Sequence, residues 1–279
     1  MLCVVYRCID GYSRRILWLE CSSSNHAAGL VANYFVSCVN AVGGYPSSVR
    51  TDCGTENVMI AAIQSAAVQS TRAHVYGTSP GNQRIESWWS FFRRSHSQWW
   101  IDLFQSFVDG NAFHPGHVRE TDLMRFCFMH VLQSNLDEVR RQWNTYRIRP
   151  SLNARCPAGV PDVLYRFPEH PAVDCLHRIL TALPSEVTAH LERKTTCQDD
   201  TFGEYLHHLC VTNNLEAPAS IDKAVSLYMK LLPFVCLWIA SVSCSFFVCY
   251  WINFVVFPYY RYPMCVTCDK ACGKRPHVT

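Results

Sequence analysis

The side chains of this chain best suited to chemistry are three carboxylates, Asp10, Asp52 and Glu86. Hard divalent cations take oxygen ligands, and phosphoryl transfer between nucleic-acid strands commonly uses a pair of them. Three acids gathered from distant positions could hold such a pair. Each acid also has an ordinary reading. Asp10-Gly11 is a hairpin-turn dipeptide, and Asp52 ahead of Gly54 suits a turn. Glu86 in a first helical turn favours the helix dipole without any chemistry. Order and spacing favour the chemical reading, with 33 residues between Asp52 and Glu86.

The elements that must position these acids follow from pattern. Asp10 closes an apolar run over residues 2–9 that reads as a strand, and residues 14–20 read as its partner across the turn 10–13. Alternation in Arg15-Ile16-Leu17-Trp18-Leu19-Glu20 is imperfect, which suits a strand covered on both faces. Ser22-Ser23-Ser24-Asn25 offers helix caps, and residues 26–42 form a helix by the spacing of Leu30, Val31, Tyr34, Phe35 and Cys38. Gly43-Gly44 ends it. A short strand then leads into Asp52, followed by a helix over 56–69, an edge strand over 72–76 and a Gly/Pro loop over 77–81. Glu86 opens a long aromatic-rich helix. At 100° per residue, Asn82, Gln83, Ser90, Arg93 and Ser97 share its face, opposite Ile85, Trp88, Phe91, Phe92 and Trp99. Trp89 and Trp100 fall nearer the polar side. Arg93, two turns on, is the first candidate for a DNA phosphate contact.

The words around the acids are Ile9-Asp10-Gly11-Tyr12-Ser13-Arg14, Arg50-Thr51-Asp52-Cys53-Gly54-Thr55-Glu56-Asn57 and Asn82-Gln83-Arg84-Ile85-Glu86-Ser87-Trp88. Over residues 2–168 the chain resembles the integrase core domain of the DDE superfamily, found in retroviral and retrotransposon integrases and transposase-derived proteins of animal genomes. The aspartate-x-glycine-x-x-asparagine step and the N-Q-R-I-E-S-x-W step carry the resemblance. It implies an α/β fold with a ribonuclease-H-like mixed sheet flanked by helices. It also implies Asp10, Asp52 and Glu86 as catalytic ligands of two Mg2+ (or Mn2+) ions, a mobile loop at 77–81, DNA as partner, and a homo-oligomer in the active form. Asn82, Gln83, Arg84 and Arg93 are then the expected DNA-binding residues.

The chain has 279 residues, a formal charge of only +3 and 16 cysteines. That charge announces no nucleic-acid partner, so local patches must carry one. The cysteines are scattered rather than framed, which suits reduced thiols in an intracellular protein, nuclear or cytoplasmic. The expected divisions are a catalytic core at 1–115, a helical extension at 116–168, a mixed helical region at 169–230, an apolar segment at 231–260 and a Cys-containing tail at 261–279. Residues 119–147 read as a helix pair with a basic edge, Arg140, Arg141, Arg147, Arg149 and Arg155. They include the family-like run Trp143-Asn144-Thr145-Tyr146-Arg147. Residues 157–168 read as an extended closing segment, helices are expected near 185–193 and 219–231, and His207-His208 reads as surface. Residues 231–260 carry no charge and read either as a transmembrane helix or as translated non-coding sequence. The start, nine residues before Asp10, reads as a truncation. Cys265, Cys268, Cys272 and His277 could form a zinc site.

The reading that unites these features is DNA integration or transposition by two-metal strand transfer, inherited from a mobile element. The rivals are a non-catalytic DNA- or protein-binding module and a protein anchored in a membrane through residues 231–260.

Overall fold

The computed structural model describes residues 2–24, 27–77, 83–150, 156–169, 172, 174–178, 185–192, 196–197 and 199–243, of which 83–87, 185–186 and 236–243 are described by backbone alone. The fold is mixed α/β, with small sheets flanked by helices. Strand β1 (Val4–Ile9) pairs antiparallel with β2 (Ile16–Ser22). After α1 (Ala28–Val42) come β3 (Gly44–Pro46), β4 (Val49–Thr51), α2 (Val58–Val68) and β5 (His74–Tyr76). Strands β4 and β5 pair in parallel, and β3 pairs antiparallel with β6 (Leu176–Arg178). The described ladders are therefore three two-stranded pieces.

The β1–β2 hairpin is covered on both faces, as its pattern suggested. The register steps from Cys8↔Trp18 to Ile9↔Ile16, so Leu17 is an extra, bulged residue. The bulge explains the imperfect alternation. It sends Ile16 into one core with Leu19 and Cys21, while Trp18 enters the other. The second core lies under α1 and α2 and contains Val31, Phe35, Val39, Tyr45, Ile60 and Ile63, with Tyr6, Cys8 and Val49 against them. Helix α1 stops at Gly43, whose φ of 80° a Cβ would resist. The serines ahead of α1 do not cap it. Ala27 is the N-cap residue and makes no side-chain bond, while Ser22 is absorbed into β2.

The opposite core is helical. Helices α3 (Gln83–Phe92), α4 (Gln98–Asp109) and α5 (Val118–Thr145) build it. The stretch expected as a helix pair is thus one helix of 28 residues, Val118–Thr145, because no Gly or Pro interrupts it. Residues 157–168 are not extended. They contain α6 (Pro161–Arg166), with Pro161 in the first turn where its missing N–H is harmless and Asp162 beside it. Helix α7 (Ser185–Ala189) is short. Helix α8 (Asp200–Thr212), which pattern reading missed, starts at Asp199, whose carboxylate accepts from the Thr201 and Phe202 amides.

Helix α9 (Ile221–Ser243) lies along α5. Leu231 and Val235, inside the apolar run, are fully buried in that packing with Tyr228 and Leu227. Among the described residues no helix is long and apolar enough to cross a membrane. Residues 244–260 of that run lie outside the described residues, as do Cys265, Cys268, Cys272 and His277. His207 and His208 are exposed, as expected.

Candidate active site

Asp10 and Asp52 occupy matching places. Asp10 immediately follows β1, and Asp52 immediately follows β4. Both strands feed the core under α1 through Cys8 and Val49. The turn after Asp52 also lies beside β1, where the Glu56 carboxylate adds to burial in pushing the Tyr6 phenol up to about 12.

Asp10 is built into the hairpin turn. One carboxylate oxygen, Oδ2, accepts from the Tyr12 amide (3.1 Å), the Ser13 amide (2.7 Å) and the Ser13 hydroxyl (2.6 Å). The turn reading and the ligand reading are therefore compatible, because these bonds occupy one oxygen. The backbone closes the turn through Asp10 N–H to Arg15 O and Arg14 N–H to Asp10 O. Arg14 adopts a φ of 62°, a conformation a non-glycine residue holds only when its neighbours impose it. Two contacts impose it here: the Trp143 indole N–H donates to the Arg14 carbonyl at 2.8 Å, and the Arg14 guanidinium donates to the Pro157 carbonyl.

Asp52 is exposed, and the spacing of its motif has a direct structural reason. Asn57, five residues on, donates its side-chain amide to Asp52 Oδ1 at 2.6 Å. Gly54 opens the one-turn 3-10 helix Thr55–Asn57 that swings Asn57 back. A Cβ on Gly54 would fall 2.2 Å from Glu56 Oε1. Thr51, the last residue of β4, donates its hydroxyl to the Asp52 carbonyl at 3.0 Å and lies 3.1 Å from His74 Nε2. Burial pulls the His74 pKa below its ordinary value.

Glu86 lies in α3 with its side chain outside the described set, as do those of Gln83 and Arg84, and Asn82 lies outside the described residues. Among the described residues no three His, Cys, Asp or Glu side chains gather as a ready-made metal site. What is described is how α3 is held. Trp88 is fully buried, stacks on Phe92 (5.0 Å, 10°) and meets Trp143 edge-on (6.3 Å, 85°). Phe91 also meets Trp143, at 5.2 Å. Trp143 therefore touches the helix that carries Glu86 and, through its indole N–H, the turn that carries Asp10.

Its neighbour Asn144 is buried and brackets Ile16. It accepts from the Ile16 amide at 2.8 Å and donates to the Ile16 carbonyl at 2.9 Å. The Trp143-Asn144 pair is thus a clamp on the hairpin. The closing segment adds Arg15 Nε to Asp162 Oδ1 at 2.5 Å, and the Tyr12 hydroxyl to the Glu169 carbonyl at 3.3 Å.

Arg93 is half-buried and starts a π-helical segment, Arg93–Ser97. Such a segment adds about one residue to a turn, so a uniform 100° wheel fails beyond it. That corrects one placement. Trp100 is buried and donates its indole N–H to Asn135 Oδ1 at 3.1 Å, while Trp99, half-buried, packs against the helical core as its position suggested. The basic edge is also reduced. Arg140 pairs with Asp137, and Arg141 pairs with Glu138 through both Nε and Nη2. Arg147 and Arg149 are exposed, and Arg155 lies outside the described residues.

Two aspartates thus directly follow strands of one α/β core, and α3 carries the third acid of the sequence pattern. The chain belongs to the integrase core domain family, whose model matches residues 2–160. No curated protein and no solved structure gives a significant match.

Proposed function

We propose that this protein is a metal-dependent DNA strand-transfer enzyme of integrase or transposase type, with a ribonuclease-H-like core. Asp10, Asp52 and Glu86 are its metal-binding and catalytic residues. The observation that carries the reading is the treatment of the two described carboxylates. Each has one oxygen tied down, Asp10 Oδ2 by the turn and Asp52 Oδ1 by Asn57. Among the described residues, Asp10 Oδ1 and Asp52 Oδ2 accept no hydrogen bond. A carboxylate oriented through one oxygen and open at the other fits a hard cation, and the donors that orient it act as the outer shell of a metal site.

Two bound Mg2+ or Mn2+ ions would supply activation of the attacking oxygen and stabilisation of the leaving one in an in-line displacement. The chain's own groups have supporting roles. The Asp10 turn and Asn57 aim two ligands, and α3 supplies the third position. Asn82, Gln83, Arg84 and Arg93 line the DNA path, where phosphate contacts make binding backbone-driven and salt-sensitive. In cells the substrate would be nuclear or cytoplasmic DNA, and the active form a homo-oligomer.

The experiment is DNA 3′-end joining by the full chain with Mg2+ or Mn2+, beside Asp52→Asn and Glu86→Gln. Joining in wild type alone supports the site. Equal joining in the variants refutes it. Tight, metal-independent DNA binding without joining would favour a domesticated binding module instead.

A further inference from the structure

We infer that Arg7 is a positioning residue that sets helix α3, and with it the third acid, against the strand that carries the first. The inference rests on the proposed metal site. Along β1, Tyr6 and Cys8 face the core under α1, whereas Val5 faces the helical core, so Arg7 shares the face of Val5. It is 8% exposed. Its guanidinium carbon lies 4.5 Å from the Trp88 ring centre and 4.0 Å from the Trp89 ring centre. Those rings meet edge-on at 5.3 Å, so they form a corner around the cation. Cation–π attraction strengthens when the cation is desolvated, and a planar guanidinium uses an aromatic corner better than a compact ammonium does.

The sequence positions give this contact its meaning. Arg7 stands three residues before Asp10 on β1, and Trp89 stands three residues after Glu86 on α3. Positions 86 and 89 are neighbours on a helix surface. The Arg7–Trp89 contact is therefore a direct bridge between the strand of the first acid and the helical turn of the third. Trp143 braces the same helix through Trp88 and Phe91, and it also holds the Asp10 turn. Rotation of α3 that moved position 86 would have to break the Trp corner or its brace.

The test separates positioning from charge. Arg7→Lys keeps the charge and loses the planar stack, and Trp89→Leu removes one ring without changing charge. Mn2+ binding to the full chain is followed by tryptophan emission and by calorimetry, with circular dichroism reporting the fold. Both variants are expected to raise the metal concentration for half-saturation about tenfold, the scale of a lost outer-shell contact. The double variant is expected to do no worse than either alone. Wild-type affinity in a folded Arg7→Lys would assign Arg7 to electrostatics alone and overturn the inference. If Arg7→Lys does not fold, wild-type affinity in Trp89→Leu overturns it. Glu86→Gln keeps the two failures distinct: it must lose the metal response if the site exists. A wild type that binds no metal sinks the proposed function and this inference together.

Discussion

Asn144→Leu is the sharpest structural perturbation the fold offers. Asn144 is buried, and its amide satisfies both the N–H and the C=O of Ile16, itself 1% exposed. Leucine has nearly the same volume and excludes water, so both groups lose their partners without rehydration. A buried orphan costs about 1–3 kcal/mol, so the pair should cost about 3 kcal/mol after the added apolar burial is offset. For a chain of this length each kcal/mol moves Tm by roughly 2–4 °C, so a fall of about 6–12 °C is expected. Urea unfolding should show a lower midpoint at unchanged slope. Hydrogen exchange at the Ile16 amide should rise with it, because the hairpin that carries Asp10 loses its clamp to α5. A stability loss under about 0.5 kcal/mol, with Ile16 exchange unchanged, would refute the reasoning.

Three further outcomes follow from the same geometry. Asn57→Ala removes the donor that aims Asp52 at an exposed turn, so metal affinity should fall about 10–100-fold while the thermal midpoint barely moves; calorimetric Mn2+ titration beside a melt checks both. The Tyr6 phenol is raised from 10.0 to about 12 by burial and then by Glu56. The unfolded chain therefore loses this proton first, and the stabilisation is whole below pH 10 and lost as pH rises from 10 through about 12. Tyr6→Phe should flatten that alkaline decline in urea midpoints taken across the window. The His74 pKa is lowered by burial from 6.5, so its neutral form stabilises the fold above pH 6.5, and that contribution is lost on acidification. His74→Gln should weaken the pH dependence of the urea midpoint below that point.

The parts of the fold legible in the sequence were those set by local, strong signals. Asp10 at a strand end, Gly43 at a helix end and Glu86 near a helix start needed only turn chemistry and periodicity. The D-x-G-x-x-N spacing was readable as a motif, but its reason, Asn57 folding back onto Asp52, needs the 3-10 turn in view. The π-helical segment at Arg93–Ser97 carries no sequence mark, so the face beyond it was misassigned at Trp100. Trp143 and Asn144 were legible only as part of a family-like run, because nothing local says that a helix 128 residues on will bracket Ile16. The pairing of Arg140 with Asp137 and of Arg141 with Glu138 was legible from i,i+3 spacing and should have lowered the charge expected of that edge. Arg7 is the converse case. A lone arginine in an apolar strand pattern signals a buried cation in need of partners, and two tryptophans on a distant helix supply them.

The measurement that bears most directly on the account is metal-dependent strand transfer, and its reversal, by the full chain on DNA ends, run beside Glu86→Gln and Asp52→Asn. The account predicts joined products with Mg2+ or Mn2+ in wild type, none with chelator, and none from either folded variant. Products of equal yield from the variants, or a folded wild type that binds DNA but joins nothing with either metal, would contradict it.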